Sequence, residues 1–399
     1  MGMPGAPAAV DVERLRAYRR GRVARELEDA GLGAALLFDP IHIRYATGAR
    51  NMTLWKTHSW GRYAFVPADG GAVIFDAPGS LHQNAGLETV AESRPAVGLG
   101  YIYGGEGTAE RTRRWAAESA ALLAAHCGAD RRLALDRIDP SGADALAQAG
   151  IEMVDASRIM ERARRIKSGD EIACMRDAIA ACEAGMTAMR EALAPGMTEN
   201  ELWALLHHAN IARGGEWIET RCLASGPRTN PWLQECSDRA IRAGELVAFD
   251  TDLIGPWGYM ADISRTFRCG EGAASDAQRS LYALSHEQLH HDIALVAPGL
   301  GFAEYAARAW PLPERFAANR YGCIAHGVGM CDEYPTIGHP AGPGLGHADG
   351  VFEPGMTVCV ESYIGEEGGG EGVKLEQQLL VTETGTELLS RFPFEDSLM

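Results

Sequence analysis

Five acidic side chains and one imidazole in the second half of this 399-residue chain have the types and order for metal chemistry. Asp250, Asp252 and Asp262 lie in the stretch 245–267. There residues 246–252 read as a strand, 253–258 as a Gly/Pro turn and 259–267 as the returning strand. Side chains alternate with period two, so Asp250 and Asp252 share a face and a hairpin can bring Asp262 beside them. The apolar neighbours Leu246, Val247, Phe249, Leu253 and Ile254 argue against a merely solvated acidic hairpin. Residues 357–361 read as a strand ending in Glu361, and 373–381 as a strand with Glu376 in mid-run. A charge inside such an apolar strand is costly unless it is paired or ligating. His326 lies among glycines in segment 322–329, where backbone can approach closely, and neutral imidazole is a common metal ligand. The five carboxylates carry five negative charges and two divalent cations supply four positive ones, which points to a dinuclear centre.

The elements that must hold these residues divide into two domains, 11–157 and 158–399. The first alternates helices (11–31, 108–127, 141–149) with strands (34–38, 62–66, 71–76, 132–135), the pattern of an α/β domain. A charged connector, 161–167, leads into the second. Ser168 with Glu171, and Thr198 with Glu201, form capping boxes that open two long helices ahead of strand material, so this domain is α+β. Histidines 286, 290 and 291 on the later helix 273–296 read as surface or packing residues, because adjacent positions on a helix point in different directions.

Composition narrows the partners. A net charge of −17 argues against a nucleic-acid surface and suits a small cationic or zwitterionic ligand. Nine scattered cysteines without a C-x-x-C pair read as reduced thiols of a cytoplasmic protein, with Cys323, Cys331 and Cys359 near the acidic cluster read as buried structural thiols. No apolar run has transmembrane length, and the first ten residues read as a flexible lead-in with neither a secretory signal nor a myristoylation motif. No membrane association is expected.

The order Asp, Asp, His, Glu, Glu resembles the metallopeptidases that include methionine aminopeptidase, aminopeptidase P, prolidase and creatinase. Their shared catalytic domain has the pita-bread fold. Segments 165–172 (Arg-Ile-Lys-Ser-Gly-Asp-Glu-Ile), 195–199 (Pro-Gly-Met-Thr-Glu), Tyr259-x-x-Asp262-Ile-x-Arg-Thr266 and His326-Gly-Val-Gly329 carry the likeness. The resemblance implies a creatinase-like N-terminal domain and a pita-bread C-terminal domain. Two departures stand out. Family peptidases have Asp-x-Gly where this chain has Asp250-Thr-Asp252, so Asp252 is a candidate sixth ligand. They also carry a further His shortly after the His-Gly-x-Gly motif, where this chain reads Met330-Cys-Asp-Glu-Tyr-Pro335.

Together with segments 215–221, 224–232 and 374–376 and parts of 39–58, these departures resemble a narrower branch, the dimethylsulfoniopropionate lyases on this scaffold. That resemblance implies iron as the metal, with manganese, zinc and cobalt as alternatives. It further implies a homodimer whose N-terminal domain caps the partner's pocket, and cleavage of a small zwitterion to dimethyl sulfide and acrylate. Such an elimination needs a base for the proton α to a carboxylate, a role that falls to Asp332, with Tyr321 orienting the substrate. A sulfonium suits an aromatic wall, for which Trp55, Trp60, Trp217 and Trp232 are candidates. The competing readings are an Xaa-Pro-type metallopeptidase, a hydrolase of a related small betaine, and a non-catalytic binding module.

Overall fold

The computed structural model describes residues 10–339 and 349–399, so all but the last of the ten lead-in residues lie outside the described part. Two compact units divide at Arg164/Arg165. The helix Ser157–Arg164 therefore belongs with the first unit, seven residues beyond the boundary drawn at 157. Its apolar face, Ile159, Met160 and Ala163, is buried, and it packs against the helix Val12–Asp29. Of the charged sequence that suggested a connector, Arg164 is itself buried beside that face.

The first unit is built on a six-stranded mixed sheet in the order Val90–Pro95, Ala72–Asp76, Tyr63–Pro67, Ala34–Leu37, Arg132–Leu135, Glu152–Asp155. Ala34–Leu37 is short and wholly buried because it lies in the middle, antiparallel to one neighbour and parallel to the other. Phe38, Tyr63, Phe65, Phe75 and Trp115 fill the core beside the helix Thr108–Cys127. Asp39 caps the helix Pro40–Thr47 by accepting from the Ile41 N–H, and Gly48 ends it at φ 74°, where a side chain would be strained.

In the second unit both expected capping boxes form, on the helices Gly169–Ala192 and Glu199–Ala212, and each cap stabilises its helix by about 1 kcal/mol. The helix Asp276–Leu295 packs on a five-stranded antiparallel sheet ordered Asp332–Gly338, Cys323–Val328, Thr357–Gly365, Gly372–Val381, Thr386–Leu388. His286 and His290 stack on each other and against Phe394, as packing residues do.

The acidic hairpin differs from the simple two-strand reading. Leu246–Phe249 pairs with Leu223–Ser225 and Arg265–Arg268 in one three-stranded sheet, whereas Leu253–Ile254 pairs with Trp217–Ile218 and Met260–Ala261 in another. Leu253 and Ile254 are thus strand rather than turn. The break between the two sheets falls at residues 250–252 and 262–264, so the aspartates sit where the ladders stop.

Candidate metal centre

That break places the carboxylates. Asp252 adopts φ +36°, a left-handed conformation that Asp tolerates better than most residues, so strict alternation does not aim it. The kink turns its amide toward Asp262 Oδ1 at 3.3 Å, and Thr220 Oγ1 donates to its carboxylate at 2.5 Å. Asp250, Asp252 and Asp262 thereby gather as expected, through a kink rather than a pleat.

Glu361 and Glu376 stand directly opposite each other on the paired strands Thr357–Gly365 and Gly372–Val381. Like charges in that register repel unless something bridges them. His326 reaches the same space: its Nε2 lies 3.3 Å from Glu361 Oε1, 3.6 Å from Asp262 Oδ2 and 3.7 Å from Glu376 Oε1. Its Nδ1 lies 3.1 Å from the Gly327 carbonyl, a contact that takes the ring proton in the neutral form and leaves the Nε2 lone pair facing the acids. The ladder shifts register between His326 and Gly327. A Cβ on Gly327 would collide with the Tyr334 carbonyl and one on Gly329 with the Glu333 carboxylate, which is why glycines flank this histidine.

All six candidate ligands therefore converge, drawn from three stretches of chain and overlapping in three groups: Asp250 with Asp252 and Asp262; Asp250 with Glu361 and Glu376; and Asp262, His326 and Glu376 with Cys359. Cys359 is buried as expected, but its thiol belongs to the cluster and lies 3.7 Å from the Asp262 carbonyl. Burial pushes the neighbouring Cys323 thiol up to about 12.

The electrostatics call for cations. Burial, reinforced by neighbouring carboxylates, pushes Asp252 and Asp262 well above the usual range and Glu376 up to about 8. His326 is raised well above an ordinary histidine: burial opposes its charge, but Asp332, Glu361 and Glu376 surround it. Glu376 Oε1 is buried and accepts no hydrogen bond among the described residues. An orphaned carboxylate oxygen amid hard oxygen donors and one imidazole fits a pair of divalent first-row metal ions.

Two residues to which the sequence reading gives no role of their own complete the cluster. Lys374 Nζ, fully buried, lies 3.1 Å from Asp250 Oδ2 and also contacts Glu361. Burial works against the Asp250 anion, yet this ammonium holds it well below the usual carboxylate range. Ser264 Oγ lies 2.7 Å from Asp250 Oδ1 and 2.8 Å from Glu376 Oε2, and its one proton serves either acid in turn.

Asp332 opens the edge strand Asp332–Gly338, with its carboxylate 62 % exposed and 3.4 Å from His326 Nδ1. Its carboxyl is pushed up by partial burial and by Glu361 and Asp250, against the pull of His326. The adjacent Glu333 points inward: it accepts from Lys167 Nζ at 2.7 Å and from the Met330 N–H at 3.1 Å. That ion pair is buried, so of the two acids here only Asp332 is open to a ligand.

The candidate aromatics fall in different places. Tyr321 and Trp232 face Lys374 Nζ, at 5.2 and 5.9 Å from their ring centres, and line a cavity of about 420 Å³ with Leu233 and Arg320. Burial raises the Tyr321 hydroxyl far above the usual range, so it stays protonated. Trp217 stands on the strand Trp217–Ile218, and its indole N–H donates to Glu219 at 3.1 Å. In the first unit Trp60 packs edge-on against Phe38 at the core margin, while Trp55 is 43 % exposed.

Comparison with known proteins adds ancestry to this geometry. Residues 173–383 match metallopeptidase family M24 and residues 19–166 match the creatinase/prolidase N-terminal domain. The chain is 42 % identical to the dimethylsulfoniopropionate lyase DddP of Roseovarius nubinhibens, over 98 % of this chain and 89 % of that one. It is 40 % identical to the protein of that name from Roseobacter denitrificans, over 98 % and 88 %. A solved Xaa-Pro dipeptidase from Bacillus anthracis superposes with a TM-score of 0.76 at 22 % identity, over 95 % of this chain and 99 % of that one. This last likeness concerns the fold.

Proposed function

The chain belongs to metallopeptidase family M24, and from that premise we propose that it is a metal-dependent lyase cleaving dimethylsulfoniopropionate to dimethyl sulfide and acrylate. The observation that carries this reading is the 42 % identity, sustained over 98 % of the chain, to a lyase with that substrate in its name. The acid at position 332 supports it, standing where the resemblance to peptidases leads one to expect a second histidine.

In this reading Asp250, Asp252, Asp262, His326, Glu361 and Glu376 hold two divalent ions, with iron as the metal. When bound, the pair supplies a Lewis acid for the substrate carboxylate and lowers the cost of negative charge at its α-carbon. Asp332 takes the α-proton onto its carboxylate. The electron pair left behind forms the carbon–carbon double bond as the carbon–sulfur bond breaks, and dimethyl sulfide departs neutral. The raised carboxyl of Asp332 suits a base that must also release its proton, and the buried Glu333–Lys167 pair keeps the neighbouring backbone from swinging. The protonated hydroxyl of Tyr321 orients the substrate, while the rings of Tyr321 and Trp232 offer the sulfonium an aromatic wall. Trp217 is proposed as a further substrate contact. We further read the protein as a homodimer, on the exposed run Met52, Leu54 and Trp55, and as cytoplasmic, on its nine free thiols. Among the described residues no helix is long and apolar enough to cross a membrane.

Headspace gas chromatography of the metal-loaded protein with dimethylsulfoniopropionate tests the proposal, with release of dimethyl sulfide expected. No release with metal bound, together with hydrolysis of an Xaa-Pro dipeptide, would replace the lyase by a peptidase. Asp332→Asn should lower turnover by about 10²–10⁴-fold while leaving metal content intact. Metal loss alongside activity would make Asp332 a ligand instead.

A further inference from the structure

Lys374 precedes Glu376 by two residues on the strand Gly372–Val381, so both side chains share one face. Its Nζ contacts Asp250 Oδ2 at 3.1 Å, Glu361 Oε2, and Glu376 Oε2 at 3.5 Å, and donates to Ser264 Oγ at 2.6 Å. Asp250, Glu361 and Glu376 are themselves one of the three groups whose oxygens converge closely enough for a cation. That group already has one. The other two groups share Asp262, with Asp250 and Asp252 in one and His326, Cys359 and Glu376 in the other, where Glu361 also presents Oε1 3.3 Å from His326 Nε2. The five carboxylates bring five negative charges and the ammonium cancels one, leaving four, which two divalent ions neutralise. Without the ammonium, a divalent and a trivalent ion together would match the ligands better.

We infer that Lys374 is the third cation of the centre, filling the Asp250, Glu361 and Glu376 group and setting the preference of the remaining sites for two divalent ions over a trivalent one. This rests on the metal reading proposed above. Lys374 acts through the ligands and not on substrate, so it is a positioning and selectivity residue. A lysine that only supported the strand would, when replaced, weaken every ion alike. One that sets the charge changes their ranking.

The test uses metal-stripped full-length protein incubated with equimolar Co²⁺ and Ga³⁺, the gallium kept soluble as a weak citrate complex, with bound ions counted by mass spectrometry. Wild type is expected to take up two cobalt ions per chain. Lys374→Gln should shift the gallium-to-cobalt ratio upward by about tenfold or more, because one buried charge acts over a few ångströms. Lys374→Arg, which keeps the charge, should retain the wild-type ratio. An unchanged ratio in Lys374→Gln, with wild type holding two ions, overturns the role of the lysine alone. A wild type that binds neither metal overturns the metal reading and this inference with it. Should Lys374→Gln fail to fold, Lys374→Met, which keeps an unbranched stem and also removes the charge, takes its place: a ratio raised about tenfold supports the inference, and the wild-type ratio overturns it.

Discussion

Both units bury acid, and they balance it in opposite ways. In the first, Asp76 is fully buried between Lys56 Nζ at 3.4 Å, Arg62 Nε at 3.0 Å and the amide of Asn51 at 2.9 Å. Two buried bases face one acid, and nothing further is needed to hold the anion. In the second, five buried or half-buried carboxylates face one lysine and one imidazole. The first arrangement is an ordinary structural ion pair with an extra base. The second holds together without added cations only by keeping protons on groups such as Glu376, whose carboxyl sits at about 8. Burial of charge therefore does not mark a working site; an uncompensated excess of one sign does.

Replacing residues on each side would sharpen or break this contrast. The largest effect is expected for Asp262→Ala, because Asp262 belongs to both groups left to the metal ions. Metal analysis should show both ions lost, and turnover should fall by roughly 10³-fold or more, the scale on which such polar assistance operates. Retention of two ions would show that Asp262 is not a ligand the two groups share. Next comes Asp76→Ala, which leaves Lys56 and Arg62 buried without their anion. Chemical denaturation should show a loss of about 3–5 kcal/mol, with metal content unchanged. If metal fell too, the two regions would not be independent.

The smallest effect is a pH dependence of the stripped protein. The folded-state value of Glu376, about 8, lies above its unfolded value, so between those values the folded state binds the extra proton. Its contribution is fully present below the unfolded value near 4.5 and is lost as pH rises through about 8. Melting temperature of the stripped protein should therefore fall from pH 5 to pH 8, whereas the metal-loaded protein should show a flatter profile. Parallel profiles would remove the case that cations relieve this cluster.

Much of this was legible in the chain because ligands must be particular residue types. Glu376 drew notice as a charge in an apolar strand, and the same rule applies to Lys374 two residues earlier. The sequence reading uses it only as part of segment 374–376, because a lysine has no place in a list of metal ligands. The gathering of Asp250, Asp252 and Asp262 was foreseen, but the left-handed turn at Asp252 was not, since a period-two pattern carries no sign that a strand changes sheets there. The helix Ser157–Arg164 is hard to read in the sequence, where its many charges look like a connector and mask three buried apolar residues. The choice between Asp332 and Glu333 needed the partner at Lys167, which is 166 residues away in sequence.

That distant partner matters to anyone cutting the chain. The family match begins at residue 173, an inviting place to start a shortened catalytic fragment. Such a fragment would omit Lys167, and Ser168 with it, so the long helix would lose its first turn and Glu333 would lie in the interior with no ammonium to meet it. The edge strand that begins at Asp332 would lose its anchor, and a soluble but inert product would say nothing about the chemistry of the intact protein. A fragment begun at Arg165 keeps both the lysine and the cap.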